Sequence, residues 1–178
     1  MKTLRLFAAA MLASLSIFTA SCSDDDSGSA NNNNNGNNNN NNTPSGEFVS
    51  AKVNGQAFSS STLFDAVAAS HPNATTVTVQ GSDNSGNAIQ VMIMNFNGTG
   101  TYNLSNMING QMLYTKIQGT SAISYSSAAE GGASGSVEIT LVDDAKVEGT
   151  FSFTGRRVQE GSTETVNVTE GSFRANFQ

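Results

Sequence analysis

The residues best suited to chemistry are few in this chain and far apart in the sequence. His71 is the single histidine and Cys22 the single cysteine. An ordinary zinc site needs several histidine or thiolate ligands, so we expect no metal site of this kind. A Ser-His-Asp triad would require His71, but this residue precedes Pro72 in a loop, and no Gly-x-Ser-x-Gly elbow presents a serine. We therefore interpret His71 as a solvated turn residue.

Oxygen-bearing side chains form two further patterns. Residues 83–87, Asp-Asn-Ser-Gly-Asn, space their oxygen atoms as calcium loops do, but the distal bidentate glutamate of a helix-loop-helix site is missing. A hairpin loop explains this segment better. Paired carboxylates for glycoside hydrolysis would have to come from scattered residues such as Asp65, Glu130 and Glu138, and Glu138 belongs to the polar half of a strand. The sequence predicts no enzyme, no catalytic residues and no cofactor.

The elements that must position any site are β-strands. Apolar and polar residues alternate in residues 136–141 and again in residues 146–153, with the period of two that half-buried strands show. Glycine or asparagine separates most of the other candidate strands. About ten short strands predict an all-β fold, an antiparallel β-sandwich or a flattened barrel. The other candidates are residues 48–53, 63–68 (a short helix over 61–70 is the alternative), 75–80, 88–96, 100–104, 112–118, 121–126 and 166–177, the last bent at Gly171.

The hairpin between the two alternating strands has a register that can be worked out from its side chains. A two-residue turn at residues 144–145 would set Ile139 beside residues of the polar face. A loop of three or five residues keeps all the apolar side chains together, and a slip by one residue would reverse the faces. We therefore predict an odd-length loop, with Ile139 and Phe151 on one buried face and with Glu138 and Thr150 facing outward.

The first 21 residues have the layout of a secretory signal peptide. Basic residues precede an apolar stretch of 14 residues (6–19), and small residues then precede Cys22. The stretch is shorter than the roughly 20 residues of a spanning helix. The cysteine resembles the lipobox cysteine of bacterial lipoproteins, whose thiol is acylated before the chain is cut in front of it, although Thr19 stands where leucine is commoner. An ordinary cleavage site with a free thiol is the alternative.

The segment after the cysteine is acidic. Ser23, Asp24, Asp25 and Asp26 follow it directly, and anionic headgroups would repel their carboxylates. Together with Cys22 they resemble the surface-export signal of Bacteroidota lipoproteins. The resemblance implies a protein of the outer membrane, lipid-anchored and facing the cell exterior. A solvated charge run is the alternative.

An asparagine-rich tract separates this segment from a single domain. Residues 31–42 contain eleven asparagines and one glycine, with no apolar side chain to bury, so residues 22–46 are expected to form a disordered tether. A self-associating tract is the alternative. Residues 47–178 have the length of one domain. Without the signal peptide, six basic residues oppose fourteen acidic ones, a net charge of −8 that disfavours nucleic acid as a partner.

Five short motifs of turn residues and alternating apolar residues follow one another through this domain. They are Phe48-x4-Val53-Asn54-Gly55-x2-Phe58, Gly100-Thr101-Tyr102-x-Leu104, Ser134-Gly135-Ser136-Val137-x-Ile139-Thr140, Gly149-Thr150-Phe151-Ser152-Phe153 and Thr169-x-Gly171-Ser172-Phe173. In this order they resemble a family of small Bacteroidota surface lipoproteins built on a β-rich domain of unknown function. The resemblance covers most of residues 47–178. It implies a β-rich exported domain and supplies no catalytic residues.

Two functions of different class follow as expectations. The first is a cell-surface lipoprotein whose non-catalytic β-domain binds a glycan, a partner protein or the matrix, anchored to the membrane through the lipid on Cys22. The second is a carrier that holds a small apolar ligand within the β-fold, with pliable side chains as its lining. The lining residues would be Met92, Met94, Phe96 and Met112.

Overall fold

The computed structural model describes residues 46–62, 67–70 and 75–178. In these residues the fold is all-β with twelve strands, so the predicted fold class is confirmed. None of the described residues forms a helix long and apolar enough to cross a membrane. The strands are β1 (Phe48–Val53), β2 (Gln56–Ser59), β3 (Val67–Ala69), β4 (Thr76–Ser82), β5 (Ala88–Met94), β6 (Gly100–Asn103), β7 (Ser105–Asn106), β8 (Gly110–Gln118), β9 (Ser121–Ser126), β10 (Ser134–Val142), β11 (Lys146–Arg157) and β12 (Thr165–Asn176).

The strands form one antiparallel sheet that curls around a single core. Its order is β2-β1-β12-β11-β9-β8-β5-β4-β3, while β10 pairs with β11 and β6, and β7 pairs with β8. Backbone contacts connect the two ends of this path to the rest of the sheet. The Ser61 N–H donates to the Ser82 carbonyl at 2.8 Å, and a parallel bridge joins Ala69 to Phe177.

The core is built from the inward-facing residues of alternating strands. On β5, Ile89, Val91 and Ile93 are buried, whereas Met92 and Met94 between and beyond them are only half-buried. The same alternation holds along β4, β10, β11 and β12. The largest fully buried side chains are Phe173, Ile89, Ile93, Leu104, Met112, Ile139, Val49, Val77, Val79, Val91, Val137 and Val147.

Strands β2 and β7 were not predicted from the sequence. The β1–β2 hairpin turns at Asn54 and Gly55, whose φ angles are +48° and +81°, and Val53 pairs with Gln56 across this turn. Positive φ at both central positions is the geometry of a type I′ turn, for which Asn-Gly is the strongest short-range sequence signal. Strand β2 was therefore readable from the sequence, whereas β7 is only two residues long and carries no periodicity.

The β10–β11 hairpin turns differently from the prediction. The Asp143 N–H donates to the Lys146 carbonyl at 3.1 Å, so the turn is the two-residue turn at residues 144–145, and the predicted odd-length loop is wrong. The Asp143 carboxylate accepts hydrogen bonds from the N–H groups of Ala145 and Lys146, at 2.8 and 2.9 Å. These two bonds lower the pKa of Asp143 and hold the short turn.

A β-bulge between Ile139 and Leu141 restores the expected faces beyond this turn. Ile139 pairs with Gly149, and both Ile139 and Phe151 are buried. Glu138 and Thr150 are exposed, so the predicted buried face is confirmed. One extra residue on a strand reverses the side-chain alternation past the bulge. The turn-proximal residue that packs on the core is consequently Val142.

Strand β12 has an irregularity where a bend was expected. Its register with β11 shifts between Phe151 and Phe153, next to Glu170, whose φ is +52°, and Gly171. Gly171 pairs with Phe151, and a Cβ atom there would lie 2.6 Å from two carbon atoms of that ring. Phe173 lies opposite Gly149 in the same way. Each glycine therefore leaves room for an aromatic ring on the neighbouring strand.

Candidate functional site

A half-open pocket, which we call the tyrosine pocket, lies where β8 and β9 meet the β1–β2 hairpin, the β4–β5 loop and the start of β12. Its volume is about 350 Å³. Ligand sites typically have volumes of about 300–1,000 Å³ and combine apolar walls with a few polar groups. It is lined by Val53, Asn54, Gln56, Ala57, Phe58, Asp83, Asn87, Tyr114, Lys116, Tyr125, Thr165 and Val166.

The β8–β9 hairpin supplies two tyrosines to the pocket. Tyr114 and Tyr125 are directly paired across the strands, and their rings stack with centroids 6.3 Å apart and planes inclined by 25°. The Tyr125 hydroxyl donates to Glu164 at 3.1 Å, and Glu164 is in turn held by Arg157 at 2.8 Å. Both rings therefore have fixed orientations in the wall of the pocket.

Tyr114 is 8% exposed and lines the pocket. Burial raises the pKa of Tyr114, and the charge of Asp83 and the neighbouring Tyr125 add to this, so the hydroxyl stays a hydrogen-bond donor. Among the described residues, the Tyr114 hydroxyl has no hydrogen-bond partner. Every fully buried side-chain oxygen and nitrogen of these residues has one, so the Tyr114 oxygen is not fully buried. The Tyr114 oxygen is therefore accessible to solvent, on a residue that lines the pocket, and it is open to a ligand.

The opposite wall comes from the β1–β2 hairpin. Phe58 is 6% exposed and contributes an apolar surface, while Gln56 and Thr165 are exposed at the rim. The hairpin is held to β12 by two bonds: the Asn54 N–H donates to the Asn167 carbonyl at 2.7 Å, and the Asn54 side-chain oxygen accepts from the Asn167 N–H at 2.8 Å. This wall is consequently fixed before any ligand binds.

The β4–β5 loop closes a third side and confirms the hairpin interpretation of residues 83–87. The Asp83 carboxylate accepts hydrogen bonds from the N–H groups of Ser85 and Asn87 and from the Asn87 amide, at 2.8, 2.9 and 2.8 Å. Asn87 also accepts a bond from the Ile117 N–H at 2.9 Å. The carboxylate is thus engaged by its own loop. Among the described residues, no group of three or more metal-ligating side chains comes together.

Lys116 is the cation at the rim of the tyrosine pocket. All six basic residues of the domain are described, and Lys116 is the one among them with neither an ion pair nor a hydrogen bond from its side chain. The others are engaged as follows: Lys52 with Glu170, Lys146 and Arg174 with Glu148, Arg157 with Glu164, and Arg156 with the carbonyls of Glu130, Gly131 and Ser162.

Three other depressions of the described surface are shallower. Two of them, of about 400 and 480 Å³, lie on the polar outer face of β10, β11 and β12, beside residues such as Ser136 and Ser152. The third, of about 590 Å³, lies between the loops that Arg156 joins. In none of the three does a tyrosine form part of the lining. The tyrosine pocket is more enclosed than these three depressions. It also combines aromatic walls with a few polar groups, as ligand sites do.

Most residues singled out from the sequence are not among the described residues that line this pocket. Cys22, Ser23, Asp24, Asp25 and Asp26 lie outside the described residues, and so do His71 and Asp65. Glu138 is exposed on the outer face of β10, as predicted for the polar half of a strand. The four suggested lining residues of a carrier are separated: Met112 is fully buried and Phe96 is 9% exposed, whereas Met92 and Met94 lie on the other face of β5.

Sequence reasoning did not single out Tyr114, Tyr125 and Lys116. A signal for the first two was present, because a two-residue turn at Gly119 and Thr120 places Tyr114 directly opposite Tyr125. Gly119 has a φ of +61° and occupies such a turn. The contribution of Phe58 and Asp83 had no such signal, because both lie more than 20 residues from the hairpin in the chain.

These features define the described part of the chain as an all-β domain with a half-open pocket lined by aromatic side chains. Residues 42–175 match the family model of DUF6252, a domain of unknown function, and the chain belongs to this family. Neither the curated proteins nor the solved structures contain a match. The match confirms one part of the resemblance stated above, namely that the chain is built on a domain of unknown function.

Proposed function

We propose that this chain is a lipid-anchored, cell-surface member of its family and that it presents a non-catalytic domain whose ligand site is the tyrosine pocket. The observation that carries the proposal is the pocket itself. Two stacked tyrosines and Phe58 form apolar walls beneath a rim of amide, hydroxyl and amino groups. The walls are held by hydrogen bonds to neighbouring strands, so binding needs little ordering of side chains.

The class of ligand that fits these walls best is a glycan. A sugar ring has an apolar face of C–H groups and an edge of hydroxyl groups. Tyrosine combines a large apolar surface with a polar end, which suits both parts of such a ring. In the pocket, Tyr114 and Tyr125 supply the ring surfaces, while Gln56 and Thr165 are placed at the rim to bond hydroxyl groups.

The first 46 residues support surface presentation. Acylation of Cys22 would hold the chain in the outer membrane, and residues 23–46 would separate the domain from it. The net charge of −8 disfavours nucleic acid as a partner. Binding of a partner protein or of the matrix stays a prediction. The carrier function also stays a prediction, and none of the pockets described above is lined by the four residues suggested for it.

Replacing Tyr125 by alanine is expected to reduce glycan binding up to about tenfold, because a stacked ring surface contributes roughly 0.5–1.5 kcal/mol to such contacts. The measurement is binding of the full chain to an array of surface glycans, with thermal unfolding to show that the variant folds. Tyr102→Ala is the control, because Tyr102 stacks on Phe96 outside the pocket. Equal binding by wild type and Tyr125→Ala would exclude the pocket as the glycan site.

Changing Asp24, Asp25 and Asp26 together to alanine is expected to leave acylation intact and to hide the domain from protease added to whole cells. The reason is that the variant lacks the three carboxylates of the segment that resembles an export signal. Digestion of intact cells, followed by detection of the remaining chain, measures this. The control replaces Asn31, Asn32 and Asn33 of the tether by alanine. If the aspartate variant is digested as fast as the control, the acidic run is only a solvated segment.

A further inference from the structure

We propose that the tyrosine pocket recognises an acidic saccharide, one whose ring carries a carboxylate, with Lys116 as the residue that binds this group. The inference rests on the proposed function and adds the chemical class of the ligand. It depends on two polar groups that line the pocket and have no partner among the described residues, Lys116 and the hydroxyl of Tyr114.

Lys116 differs from the other basic residues of the domain because its side chain has no partner among the described residues. Acidic residues outnumber basic ones by fourteen to eight, so carboxylates are plentiful as partners. Every other basic side chain of the domain is engaged by a carboxylate or by backbone carbonyls. Lys116 instead stands exposed at the rim of the tyrosine pocket. An ammonium group at this rim is a donor for a ligand carboxylate, and a charge-assisted bond of this kind is about twice as strong as a neutral one.

The second donor lies on the same side of the same strand. Tyr114 and Lys116 are two residues apart on β8, and side chains at this spacing point to one face, with their Cα atoms about 6.5 Å apart. A six-membered sugar ring and its carboxylate span a comparable length. The ring can therefore lie against Tyr125 with a hydroxyl group at the Tyr114 oxygen, while its carboxylate reaches Lys116.

Asp83 determines the orientation of the bound saccharide. Its charge acts on Tyr114, as the raised pKa of Tyr114 reflects, and it would repel a ligand carboxylate placed beside Tyr114. Both of its oxygens are occupied by the β4–β5 loop, so it offers little to a cation. The acidic group of the ligand is thus directed outward to Lys116, and the neutral part of the ring inward to Tyr114.

The chain has a built-in reporter for this test. It contains three tyrosines and no tryptophan, and two of the tyrosines line the pocket. In the full chain carrying Tyr102→Phe, intrinsic tyrosine emission comes from Tyr114 and Tyr125 alone. Titration with glucuronate and, separately, with glucose compares two rings that differ only in the carboxylate. We expect glucuronate to bind up to about fivefold more tightly, the range for an ion pair with an exposed lysine, and the preference to shrink as salt is raised.

Variants of two lysines then assign the preference. Lys116→Gln is expected to bring the affinity for glucuronate down to that for glucose, whereas the control Lys52→Gln, at a cation paired with Glu170, keeps the preference. Binding of both sugars with equal affinity would overturn the acidic-saccharide inference and leave the proposed function standing. A preference that survives Lys116→Gln would also overturn it. If neither sugar, nor any glycan on the array, changes the emission or binds, the proposed function fails as well.

Discussion

Truncating Phe151 to alanine is expected to lower the free energy of unfolding by about 3–5 kcal/mol, the range for a buried phenylalanine. The ring is 5% exposed, and its centroid lies 6.2 Å from that of Phe173 on the neighbouring strand. It also covers Gly171, which has no side chain to expand into the space left behind. Because strand β11 is paired on both sides at this point, the cavity would collapse only in part.

The matched control for this experiment is the neighbouring residue. Thr150→Ala removes an exposed side chain from the outer face of β11, and it is expected to change stability by no more than about 0.5 kcal/mol. Urea denaturation of the wild type and the two variants gives the free energies of unfolding. Near-equal midpoints for Phe151→Ala and Thr150→Ala would contradict the register of this hairpin and the packed core beneath it.

Replacing Cys22 by alanine is expected to abolish membrane association. It removes the only thiol in the chain, so no acyl chain could be attached there. A lipid contributes about 0.8 kcal/mol for each buried methylene group, and two or three acyl chains anchor stably where one does not. The apolar stretch of residues 6–19 is shorter than the roughly 20 residues that a spanning helix needs. We therefore expect the variant to take up no labelled palmitate and to remain in the aqueous phase of a detergent partition.

A control variant separates loss of the lipid from damage to export. Ser27→Ala changes a nearby residue and keeps the thiol, so it should incorporate palmitate and partition like the wild type. Membrane association of Cys22→Ala at the level of this control would refute the lipoprotein assignment, and an ordinary cleavage site with a free thiol would then explain the sequence.

The sequence determined the local parts of this structure. Alternation of apolar and polar residues is set by the two-residue period of an extended backbone, and it correctly predicted that Ile139 and Phe151 are buried while Glu138 faces outward. Turn residues also act locally, so the Asn-Gly pair at residues 54–55 could have predicted β2 as well. Such features need only neighbouring residues, and a single sequence contains all the information on them.

The tertiary structure decided everything that depends on strands distant in the sequence. A two-residue turn and a bulge together give the β10–β11 hairpin the same buried face as an odd-length loop, so the side-chain pattern could not distinguish these two solutions. The tyrosine pocket shows the same limit. The pairing of Tyr114 with Tyr125 follows from their own hairpin, but Phe58 and Asp83 reach them only because the sheet curls around its core. That curl results from the summed packing of twelve strands, and no short segment of the sequence specifies it.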